Sequence, residues 1–105
     1  MNLDIRGHHM QTTGALQQHI ERRIGTALKR LTHRVQDVVI RISEGEGQPG
    51  GHEKHCRLQV HLSGAGTVFI DECDRDMYVA IDRAASRAKE AVRRSIKRGL
   101  ERRRH

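Results

Sequence analysis

From Asp76 to about Arg98, apolar residues return at intervals of three and four: Met77, Ile81, Ala84, Ala85, Ala88, Val92 and Ile96. That period marks one face of an α-helix. At about 1.5 Å per residue the helix is on the order of 34 Å long. In a chain of 105 residues, which makes one domain with a thin core, such a stripe must be buried against a second layer. Its alanines predict close approach, either to a sheet or to another helix. Gly99 is the expected C-terminal stop.

The preceding residues supply the layer. Residues 2–6 alternate, with Leu3 and Ile5 on one side, and read as a short strand. Thr13 is the expected N-cap of a first helix whose apolar face is Leu16, Ile20, Ile24, Ala27, Leu28 and Leu31. Gly25 weakens that helix by about 1 kcal/mol relative to Ala. Residues 35–43 are β-branched and alternate, with Val38, Ile40 and Ile42 on one face. Glu44 to Gly51, with four glycines and Pro49, reads as a turn. Residues 55–62 put Cys56, Leu58, Val60 and Leu62 on one face and His55, Arg57, Gln59 and His61 on the other. Ser63 to Gly66 is a tight turn, so Thr67 to Glu72 returns as a hairpin partner. The order β-α-β-β-β-α predicts an α+β two-layer sandwich: a four-stranded sheet with two helices on one face. Residues 1–98 form the expected domain and 99–105 a basic tail.

The charge is unevenly placed. Residues 83–105 hold ten Lys/Arg against two acids, while residues 1–82 hold ten against eleven. The net charge of +7 therefore belongs to the second helix and its tail. A concentrated basic segment points to a polyanion, either nucleic acid or an anionic membrane surface. With Ile81 at zero on a helical wheel, Arg83, Arg87, Arg94 and Arg98 share a strip about 60° wide, opposite the apolar stripe. Guanidinium groups offer phosphates a planar fork of donors and do not deprotonate. The Arg102-Arg103-Arg104 tail adds to the strip, and Lys97 of the same helix is a further candidate RNA contact. The plain alternative is a solvated face whose cations complement the C-terminal dipole. Arg22, Arg23, Lys29 and Arg30 of the first helix would form the other wall of a phosphate-lined site.

Other chemistries find little support. His52-x-x-His55-Cys56 has a zinc-like look, but adjacent strand residues point to opposite faces and structural zinc needs four closed ligands. Ser63, Ser86 and Ser95 lack a G-x-S-x-G elbow. No phosphate-binding P-loop is present, and Gly64-x-Gly66 is too short for a dinucleotide fingerprint. Asp71, Glu72, Asp74 and Asp76 read as capping and dipole compensation for the second helix. Phe69 and Tyr78 are the only large aromatics, and Phe69 is out of phase with Val68 and Ile70, toward an open sheet face. Cys56 and Cys73 are expected to be free thiols in a reducing cytoplasm. Residues 1–6 do not resemble a secretory signal, and no apolar run approaches a membrane span. The expectation is a binding module with no metal and no cofactor, not an enzyme.

Asp76-Met77-Tyr78-Val79-Ala80-Ile81-Asp82 resembles the D-M-Y-x-A-I-D/N signature of the ribosome hibernation promoting factor family, also called the ribosome-associated inhibitor or sigma-54 modulation family. The opening is similar too: Leu3 to Gly7, Met10, Thr13, Ala15-Leu16 and His19-Ile20 before Arg23. The resemblance spans essentially residues 1–98. It implies a fold similar to a double-stranded-RNA-binding domain. It also implies binding to the small ribosomal subunit at the decoding region, over the tRNA and mRNA positions, silencing translation in stationary phase or stress. By position it places Arg23 and Lys29 of the first helix and Arg87 and Arg94 of the second against ribosomal RNA. Glu90 and Thr26 depart from positions that are often basic in relatives, and Arg83, Arg93 and Arg98 are the expected compensation. The length and the basic ending match the short form, which works with a separate small ribosome modulation factor and is expected to be a monomer off the ribosome. The alternatives are a general double-stranded-RNA binder and a protein-interaction modulator of transcription.

Overall fold

The structure, a computed structural model, describes residues 1–45 and 53–103. Four strands and two helices follow the expected order: β1 (Asn2–His8), α1 (Gly14–Ala27), β2 (Val35–Glu44), β3 (Lys54–Leu62), β4 (Gly66–Asp74) and α2 (Met77–Arg103), with a 3-10 segment at Lys29–Arg34. The sheet order is β1-β2-β3-β4. β1 runs parallel to β2, and the other neighbours are antiparallel. Parallel neighbours need a crossover, which α1 supplies.

The alternating residues segregate as the period demands. Val38, Ile40, Ile42, Cys56, Leu58, Val60 and Leu62 are all buried on the helical side. Against them lie Leu16, Ile20, Ile24 and Leu28 of α1 and its end, and Ile81, Val92 and four fully buried alanines of α2. The alanines let α2 settle close on β3 and β4. No side chain with a polar head is buried among the described residues, so the core stands on apolar area alone. The other face of the sheet is open: Phe69 there is 69% exposed.

Three boundaries differ from the sequence expectation. The first helix ends at Ala27, not Leu31, because the chain tightens into the 3-10 segment. The Leu28-to-Leu31 spacing of three fits either helix type, so periodicity could not separate them. The second helix does not stop at Gly99 but continues to Arg103. Gly99 does not take the positive φ of a helix terminator. Instead it lies beside the β3–β4 turn, where a Cβ would stand 3.7 Å from the Ala65 methyl. Leu100, Glu101 and Arg102 are good helix formers and carry the helix onward. The third difference is in the strands, which run longer than alternation alone marks out, β1 to His8 and β4 to Asp74. The Glu44–Gly51 turn, His52 and the Arg104-His105 end lie largely outside the described residues.

Local chemistry fixes the helix starts. The Thr13 hydroxyl accepts from the Leu16 amide at 3.2 Å, as an N-cap should. At α2 the Asp74 carboxylate accepts from the Asp76 amide at 2.8 Å, and the Asp76 carboxylate accepts from the Tyr78 amide at 2.9 Å.

Candidate nucleic-acid interface

The signature segment locks α2 to α1. Met77, Ala80 and Ile81 are buried. Asp82 receives two partners from α1: His19 Nε2 at 2.7 Å and Arg23 Nε at 2.9 Å. Arg23 also reaches the Asp82 carbonyl and the Ser86 hydroxyl. The His19 ring meets Tyr78 edge to face, with centroids 4.8 Å apart. Arg22 donates to His19 Nδ1 at 3.2 Å. That arrangement fits an imidazole donating from Nε2 and accepting at Nδ1.

This lock fixes a cleft where the end of α1 meets α2. It holds about 310 Å³ and is lined by Thr26, Lys29, Arg30, Leu31, Lys89 and Arg93, with Ala27. Four cations thus converge, with no carboxylate in the lining among the described residues. Arg93 has one acidic contact, a 3.6 Å approach to Glu90 on the same helix, both exposed, which is worth little in water. Lys29, Arg30 and Lys89 have no carboxylate partner among the described residues. Thr26 lines the same cleft.

The strip of four arginines is not one surface. Arg83 lies 3.3 Å from Asp74 and Arg87 lies 2.7 Å from Glu72. Arg87 also donates to the Asp71 carbonyl at 2.9 Å. These two guanidiniums fold back along β4, on the flank of α2 and not opposite its apolar stripe as the wheel predicted. A wheel gives angle but not the neighbour, and the acidic strand lies on that flank. The acids correct in parallel: Asp74 and Asp76 cap α2, but Glu72 serves Arg87 and Asp71 serves Arg57 at 3.0 Å. Arg94, Lys97 and Arg98 are exposed and have no carboxylate partner among the described residues; Arg98 only reaches Ser95.

Of the nine basic residues singled out from sequence, the structure groups Lys29 and Arg30 in the cleft and leaves Arg94, Lys97 and Arg98 along the far half of α2. It ties Arg22, Arg23, Arg83 and Arg87 into contacts within the fold. Lys89 and Arg93 complete the cleft; in the sequence Arg93 figures only as compensation for Glu90 and Thr26, and Lys89 is not singled out. The signal for them was present: on the same wheel they lie about 80° and 120° from Ile81, the flank that α1 occupies. Among the described residues no cluster of His, Cys, Asp or Glu fits a metal ion, and no helix is long and apolar enough to cross a membrane.

Residues 3–99 match the family described as Sigma 54 modulation protein / S30EA ribosomal protein. The chain belongs to this family. It is 29% identical over 96 residues to the ribosome hibernation promotion factor of Bacillus subtilis, covering 90% of this chain and 48% of that protein. The chain therefore spans about half the length of that curated relative. The N-terminal domain of Thermus thermophilus Protein Y superposes with a TM-score of 0.74 at 26% identity, covering 90% of this chain and 98% of that one. A ribosomal subunit interface protein from Coxiella burnetii shares the fold, with a TM-score of 0.76 at 16% identity over 90% and 96% of the two chains. The β-α-β-β-β-α sandwich of this family member is thus the fold of those domains.

Proposed function

We propose that this family member is a ribosome hibernation factor whose α1–α2 cleft grips ribosomal RNA of the small subunit. In this reading it is a binding protein and not an enzyme, and it works in the cytoplasm. It sits in the decoding region and inhibits translation in stationary phase or stress by occupying the tRNA and mRNA positions. The observation that carries the reading is the cleft: four cations, two from the 3-10 segment after α1 and two from α2, no carboxylate in the lining among the described residues, and the Asp82 joint beside it that ties the two helices together. Preset cations take phosphates without reorganising, and displaced counterions add to the affinity. Arg94, Lys97 and Arg98 continue the contact along α2. Arg23, Arg83 and Arg87 act through the fold, by holding the helices and β4 in place.

Family membership and the relatives' printed names support ribosome association. The place on the subunit rests on the resemblance of the signature and on the cleft. Hydroxyl-radical footprinting of small-subunit RNA tests it: protection should fall on the decoding region and the chain should lower translation in an extract. Protection elsewhere, or equal affinity for a free RNA duplex, contradicts it. Gradient profiles from starved cells then read whether ribosomes dimerise with a separate modulation factor.

A further inference from the structure

The open face of the sheet carries cations that the cleft does not use. Strand register sets Arg6 of β1 beside Arg41 of β2, and Arg41 beside Arg57 of β3. Neighbouring strands lie about 4.8 Å apart, so three guanidinium groups rise from a single row. The adjacent row is His8, Ser43 and His55. Like charges directly opposite one another weaken a sheet. Arg6 is offset by Asp4 at 2.7 Å and Arg57 by Asp71 at 3.0 Å. Arg41, in the middle, is exposed and has no carboxylate partner among the described residues.

Above both rows lies a hollow of about 590 Å³. Arg6, Arg41, Arg57, His8, Ser43 and His55 all line it. Among the described residues that line it, the one acid is Glu44, and it pairs with Lys54 at 2.6 Å. The Gly7 backbone lines the floor of the hollow; on the opposite, helical side, where Gly7 pairs with Ile42, a Cβ would collide with the Met10 carbonyl. The chain can double back after β1 only because that position is glycine.

We propose that this hollow binds a compact polyphosphate: pyrophosphate, or the diphosphate moiety of a nucleotide. A central unpaired guanidinium flanked by two more gives the forked donors that phosphate oxygens accept. The volume is that of a small-molecule site. Asp4 and Asp71 stand beside the outer arginines, so an extended nucleic-acid backbone crossing the row would meet negative charge at both ends, whereas a compact anion centred on Arg41 avoids both. This site is independent of the ribosome reading, because it lies on the face of the sheet away from the helices.

The test is amide NMR of the chain titrated with sodium pyrophosphate, ADP and a short single-stranded RNA, on wild type and Arg41→Gln. Saturable pyrophosphate shifts should centre on residues 6–8, 41–45 and 55–57. Arg41→Gln should lose about tenfold or more in pyrophosphate affinity while its Tm rises by about 2–4 °C, because like-charge repulsion is relieved. ADP binding as tightly as pyrophosphate makes the ligand a nucleotide; weaker ADP binding makes it an inorganic polyphosphate. Pyrophosphate shifts confined to Lys29–Leu31 and Lys89–Arg93 overturn the proposal. So does an Arg41→Gln variant that binds like wild type, or RNA that occupies the hollow more tightly than pyrophosphate. Ribosome co-sedimentation of Arg41→Gln should match wild type, so failure here is separable from failure of the cleft.

Discussion

Asp82 shows how one carboxylate turns a sequence signature into a rigid joint. It takes His19 and Arg23 from the facing helix at 2.7 and 2.9 Å while remaining partly exposed. Asp82→Ala removes the carboxylate that both partners share, leaving Arg23 only the residue 82 carbonyl and the Ser86 hydroxyl, and should cost about 1–2 kcal/mol in a urea titration. Sequence alone displayed Arg23 as a cation, because a partner 59 residues away leaves no mark in local spacing. The same holds for Arg83 and Arg87. Cys56, by contrast, was legible from alternation, and it is a fully buried free thiol. Burial foremost, then the charges of Glu72 and Asp71, pushes that thiol up to about 12 from 9.0. Its proton is held more tightly in the folded state, so the stability it contributes is complete below pH 9 and is lost as pH rises toward 12. Wild type should therefore lose stability faster than Cys56→Ala over that range. A thiol reagent at pH 8 should label the exposed Cys73 in native protein and both cysteines only after unfolding.

At the scale of the elements, the strands and helix faces followed directly from period, since the buried set is close to the alternating and three-four sets. The ends did not, because they depend on neighbours that a linear pattern omits. Gly99 has a terminator's identity but not its conformation, and it sits within α2, ahead of the helix end at Arg103 and beside the β3–β4 turn. Gly25 likewise lies inside α1, and a Cβ there meets nothing within 4 Å. Gly25→Ala should stabilise the fold by about 1 kcal/mol, read as a rise in Tm. Thr13→Ala removes the hydroxyl that holds the Leu16 amide and should cost about 1 kcal/mol. The turns at Gly64 and Gly66, both with positive φ, behave as the tight-turn reading required.

The whole molecule is a plate with unpaired cations on both faces among the described residues. On the helical side the described basic residues resolve into a four-cation cleft, a cationic run at the far end of α2 with no carboxylate partner among the described residues, and four arginines spent on internal contacts. On the open side a row of three arginines spans three strands. Composition could locate the excess in the last quarter of the chain, but only the packing of α1 against α2 separates the cations that are free from those that are held. The most direct measurement is co-sedimentation with small ribosomal subunits at moderate salt, comparing wild type, Lys29→Glu with Lys89→Glu, and Arg83→Gln with Arg87→Gln. The cleft pair should weaken binding by about tenfold or more with an unchanged Tm, while the β4-flank pair should weaken it far less and lower the Tm. A cleft variant that sediments with the subunit as wild type does would contradict the account.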